Sequence, residues 1–123
     1  MKIILQKERP QSWNMIYSGR HWSNRSNEAT RIHNLVRWEL KAMGIYAQDK
    51  SKIFKNKVDI TLIVFFEKTS LDPDNIPAKI YIDGLKDFLL TDDSRKYVHS
   101  VKTISEIDTK NPRVEIEILE SEP

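Results

Sequence analysis

With 123 residues, a net charge of +2 and no cysteine, the chain is sized for one domain, residues 1–123, whose core needs no covalent staple. Disulfides and thiolate metal sites are excluded, and a reducing compartment is expected. No stretch approaches the ~18 apolar residues of a membrane span, and the apolar run Met1–Gln6, closed by Lys7, Glu8 and Arg9, is too short for a signal peptide.

Residues 1–6 read as a short strand. Residues 8–26 read as irregular, broken by Pro10, Gly19 and several Ser and Asn. Asn27 is placed to cap a helix running to about Met43. Ile32, Leu35, Val36, Leu40 and Met43 fall on one face of it, and Gly44 suits its end. Residues 47–57 form a basic, polar connection. Val58–Phe66 is the strongest strand signal. Val58, Ile60, Leu62, Val64 and Phe66 alternate on one face, and Ile63 and Phe65 make the other apolar too, which predicts a central strand. A second helix is expected from near Asn75 to about Phe88, capped by Asp74 or Asn75, with Pro77 in its first turn. Tyr97–Ile104 and Val114–Leu119 read as two further strands, with Asn111-Pro112 breaking between them. The order β-α-β-α-β-β predicts an α+β fold with a mixed β-sheet and two main helices.

Charge divides along the chain. Residues 1–57 carry 12 Lys/Arg against 4 Asp/Glu, and residues 58–123 carry 8 against 14. The acidic half holds Asp72-Pro73-Asp74-Asn75 and, about 20 residues on, Asp92-Asp93, with Lys79 and Asp83 between. So many carboxylates in a short span repel one another, and a divalent cation with oxygen ligands is a simple way to offset that. Pro73 biases Asp72 toward an extended backbone, in which residues i and i+2 point to one side. Asp72 and Asp74 are therefore expected to face one Mg²⁺ or Mn²⁺ at a helix N-terminus. Asn75, Lys79 and Asp83 are spaced to share a helix face, which would bring Lys79 beside the carboxylates to neutralise them or hold a phosphate. Asp-Pro-Asp-Asn and Asp-Asp-Ser are also ordinary turn sequences. Arg20 and Arg25, with Lys50, Lys52, Lys55 and Lys57 around Phe54, are candidate phosphate contacts or simply a solvated face. Trp13, Trp22 and Trp38 suit core anchors, with stacking of Trp13 or Trp22 on unpaired bases the alternative. His21, His33 and His99 are expected to be structural or surface residues.

The run Asp72-Pro73-Asp74-Asn75, Lys79, Asp83-Gly84-Leu85 and Asp92-Asp93-Ser94 resembles the RusA-type Holliday junction resolvases, most strongly over residues 58–104. The resemblance implies a RusA-like homodimer that binds four-way DNA junctions and nicks two opposed strands with Mg²⁺ or Mn²⁺, in recombination and repair. Asp72, Asp74 and Asp93 would be its catalytic metal ligands, Asp92 their support and Lys79 the catalytic lysine. It implies a cytoplasmic setting in a bacterial or phage-infected cell. One more residue separates Asn75 from Lys79 than in the family pattern. That shift turns a helix by roughly 100°, which Pro77 must absorb. Two other functions fit the same residues: a non-catalytic branched-DNA binding module, and a flap or branched-DNA nuclease of the same fold.

Overall fold

The computed structural model describes residues 1–17 and 22–121. It contains strands β1 (Lys2–Gln6), β2 (Val58–Phe66), β3 (Val98–Ile107) and β4 (Arg113–Glu120) and helices α1 (Trp13–Ile16), α2 (Trp22–Ala42) and α3 (Ala78–Asp83). The strands form one mixed sheet in the order β1-β4-β2-β3. β4 runs antiparallel to β1 and β2, and β2 runs parallel to β3. The α+β class and the interior position of β2 agree with the sequence. No helix among the described residues is long and apolar enough to cross a membrane.

One face of the sheet supplies half of the core. Val58, Ile60, Leu62, Val64 and Phe66 of β2 are buried there, with Ile3 and Leu5 of β1 and Val114, Ile116 and Ile118 of β4. α2 lays Ile32, Val36 and Leu40 onto that face. The helix starts five residues before the expected cap at Asn27. Asn24 Nδ2 donates to the Met15 carbonyl at 3.4 Å, joining α2 to α1. The far end is a Schellman turn. Gly44 has φ +81°, its N–H bonds to Lys41 and the Ile45 N–H bonds to Leu40. Trp38 is 73% exposed and is no core anchor. Met43 lies past the last turn and is exposed as well.

The second helix is much shorter than expected, so the fold has one main helix and not two. A turn of 3₁₀ helix over Pro73–Asn75 comes first, then a break at Ile76-Pro77, then α3 from Ala78 to Asp83. Beyond it Phe88, Leu89 and Leu90 are all buried. Here the chain leaves helical winding. Asp87 turns it, with φ 71° and its N–H bonded to Leu90. Gly84 lets α3 approach α2 closely: a Cβ there would lie 3.1 Å from Val36 Cβ.

Candidate active site

The Asp72–Asn75 segment folds as a tight turn closed by Asn75 N–H on the Asp72 carbonyl at 2.9 Å. Asp72 is extended (φ −64°, ψ 146°), as its proline neighbour requires. Asp74 sits inside the 3₁₀ turn, so the two carboxylates do not share a side by strand alternation, contrary to the expectation. Nor does the turn continue into α3, since Ile76-Pro77 intervenes. Both carboxylates are exposed, and neither pairs with a lysine among the described residues. The turn is pinned on two sides. Thr103 Oγ1 of β3 donates to the Pro73 carbonyl at 2.8 Å. Asn75 Oδ1 accepts from the Asn14 N–H at 3.2 Å, satisfying a free donor in the first turn of α1.

The break before α3 sets the position of Lys79. Its Nζ lies 3.1 Å from Asp93 Oδ2 and 3.6 Å from Asp83 Oδ1. A second lysine, Lys86, stands 3.6 Å from Asp83 Oδ1, 3.6 Å from Asp92 Oδ1 and 3.5 Å from Asp93 Oδ1. Three aspartates and two lysines thus converge. Burial raises the Asp83 pKa, and its hydrogen bond with Asp93 raises it further. That same hydrogen bond, then Lys79, holds Asp93 well below the ordinary carboxylate range. When the pair carries one proton, Asp83 keeps it. Lys79 is raised, first by its bond to Asp93 and then by Asp83. Burial opposes the charge on Lys86, but the three carboxylates outweigh it. His33, from α2, is shifted down by burial and by Arg37, while Asp83 pulls it the other way.

The donor chemistry suits a hard divalent cation: carboxylate oxygens, one of them (Asp83 Oδ1) buried without a hydrogen-bond partner. Among the described residues, however, no three His, Asp or Glu side chains come together closely enough to hold a metal. The lysine ammoniums already face these oxygens. Lys79 would have to release Asp93 for an ion to take its place.

Two grooves flank the cluster. One, of about 530 Å³, is lined by Trp13, Ala78, Lys79, Ile82, Asp93, Val98 and Val101. The other, of about 540 Å³, is lined by Lys50, Ile53, Phe54, Lys55, Asp87, Thr91 and Tyr97, and Thr91 adjoins Asp92 in the chain. The basic connection reaches this second groove through Phe54, whose N–H bonds to the Leu89 carbonyl at 2.9 Å. Lys50, Lys52, Lys55 and Lys57 are all exposed. Arg25 is exposed and lies over the Tyr17 ring. Arg20, His21 and the Trp22 side chain fall outside the described residues.

Sequence reasoning missed several participants. Lys86 follows Lys79 and Asp83 at i+7 and i+3, a helical stripe that was there to read. A buried network also went unseen. Glu8 accepts from Arg31 at 2.7 and 3.1 Å and from the Tyr81 hydroxyl at 2.7 Å, and Arg31 also pairs with Glu28. It ties α3, through Tyr81, to α2 and to the chain after β1. Asp59 forms a second polar cluster away from the grooves, with His99 Nδ1 at 2.8 Å, Ser100 Oγ at 2.5 Å and Ser121 Oγ at 2.9 Å. It joins β2, β3 and the end of β4. Comparison of the chain with protein-family models and with curated proteins gives no match to either.

Proposed function

We propose that this chain is a structure-selective DNA endonuclease, dependent on Mg²⁺ or Mn²⁺, that acts as a homodimer and resolves four-way junctions by paired nicking. The observation that carries the reading is the convergence of Lys79 and Lys86 on Asp83, Asp92 and Asp93, with Lys79 and Asp93 in the lining of a groove that Trp13 also lines. Asp72, Asp74 and Asp93 would hold the metal, with Asp92 in support. A divalent ion there supplies Lewis-acid polarisation of a phosphate and a water of lowered pKa. Lys79, kept charged by its carboxylates, would shift onto a phosphate oxygen and stabilise the negative charge that develops. Asp83, half-buried and with its pKa raised by burial and by Asp93, is suited to fix Lys79 and Asp93 in register. Lys50, Lys52, Lys55 and Lys57, with Arg25, would grip the phosphate backbone, and binding should weaken steeply with salt.

The test is incubation of a synthetic four-way junction and a linear duplex of matched sequence with the protein, in Mg²⁺, Mn²⁺ and EDTA. Metal-dependent, paired nicking of the junction alone is expected. Absence of cleavage across metals and sequences would overturn the proposal, and equal cleavage of the duplex would overturn its structural selectivity. One observation favours a second reading, a branched-DNA binding module. The site's carboxylates are already paired with lysines, and no three among the described residues meet to hold an ion. Junction binding indifferent to EDTA, without nicking, would support that reading.

A further inference from the structure

We propose that Trp13 and Tyr17 form a stacking platform for an unpaired nucleobase, delivered by a single-stranded DNA segment into the groove between α1, α3 and β3. The inference rests on the nucleic-acid reading of the site. It adds a subsite for a base next to a centre that would act on phosphates. Trp13 lines the groove with the apolar Ile82, Val98 and Val101 and the polar Lys79 and Asp93. Its volume, about 530 Å³, lies within the range of small-ligand pockets. The Tyr17 ring lies 4.8 Å from that of Trp13 and is tilted by 31°. The Arg25 guanidinium sits 5.1 Å from the centre of the Tyr17 ring.

The platform is held in place before any ligand arrives. Ser12 Oγ accepts from the Met15 N–H at 3.1 Å, Asn75 holds the Asn14 N–H and Asn24 holds the Met15 carbonyl. An aromatic surface fixed in this way stacks a base at little entropic cost. Tyr17 is half exposed, as is Val101 on the edge strand β3, so the apolar surface is open to an incoming ring. Charge favours a nucleotide over an apolar peptide. A nucleotide brings a flat ring for Trp13 and a phosphate for Arg25, which makes no ion pair among the described residues, whereas an apolar peptide brings no anion for it. A base inside a duplex has neighbours on both faces, so the platform selects unpaired positions.

The test uses 2-aminopurine, whose fluorescence is quenched by stacking, at one position of a single-stranded oligonucleotide and of a fully paired duplex, titrated in EDTA. Quenching by the wild-type protein is expected for the single strand only. Trp13→Ala should bind it ~5- to 150-fold more weakly, the range of one lost base stack, and Trp13→Phe should recover part of the loss. The Trp13→Ala ratio should hold as salt rises, while the loss from Arg25→Ala should shrink. Trp38→Ala is the control. Should Trp13→Ala fail to fold, Trp13→Leu, which keeps an apolar side chain but no ring to stack, provides the comparison. Unchanged binding and quenching in the Trp13 variants would overturn the platform while leaving junction cleavage intact. Self-association that shields Trp13 from the oligonucleotide would assign the groove to a second copy and also overturn it. Quenching without cleavage in any metal would sustain the platform and overturn the nuclease.

Discussion

Arg31→Met should cost the fold about 3 kcal/mol, and the number follows from what the guanidinium leaves behind. The side chains of Glu8 and Glu28 are 3% and 4% exposed, and Arg31 bonds to both. Removing one partner of a buried ion pair costs roughly 3–5 kcal/mol. Arg31 itself is 44% exposed, so water reaches the vacated position and the low end applies. For a chain of this length a loss of that size lowers the melting temperature by roughly 10 °C. Thermal unfolding followed by circular dichroism at neutral pH measures it. Adding Glu28→Gln should recover part of the deficit. A variant melting within about 2 °C of wild type would refute the reasoning, since one or two kcal/mol is already a visible shift at this size. Because Tyr81 ties the network to α3, the variant should also loosen Lys79 and Asp83.

Three other outcomes are expected. Asp83→Asn should stabilise the metal-free protein at neutral pH. A raised carboxyl pKa favours the fold below the unfolded value near 4 and loses that contribution as pH rises through the folded one, so the neutral amide removes a cost that exists only when Asp83 is ionised. Denaturant midpoints should show a gain at pH 7 that vanishes by about pH 4, with lower nuclease activity. An equal loss of stability at both pH values would contradict this. Gly84→Ala should cost roughly 1–3 kcal/mol by pushing α3 off Val36, as read by urea unfolding. Trp38→Ser should leave urea stability within about 0.5 kcal/mol of wild type, as for an exposed position away from special contacts.

Much of the fold was legible because burial imposes a period. β2 alternates through all nine residues, and its buried set is the one expected. Ile32, Val36 and Leu40 mark the inner face of α2. The exposure of Trp38 was readable too: it lies about 200° around the helix from Val36, and residue type outweighed position in naming it a core anchor. The end of α3 was not legible, because local pattern favours helix through Phe88, whereas the chain turns at Asp87 with φ 71°, a conformation that apolar spacing does not encode. In the site, Lys79 meets Asp93 and Asp83, whereas Asp72 and Asp74 depart from strand alternation through the 3₁₀ closure at Asn75. Glu28 and Arg31 are visible as an i, i+3 pair, but their meeting with Glu8 and Tyr81 depends on long-range packing that no local spacing encodes.

The central claim is that the Asp72–Asp74 turn and the cluster around Asp93 form one metal-dependent phosphodiester-cleaving centre. Cleavage of a four-way junction in Mg²⁺ by wild type, Asp74→Asn and Asp93→Asn, each first shown to be folded, tests it most directly. The account predicts paired nicks from wild type and none above background from either variant. Nicking by both variants at the wild-type rate would contradict it.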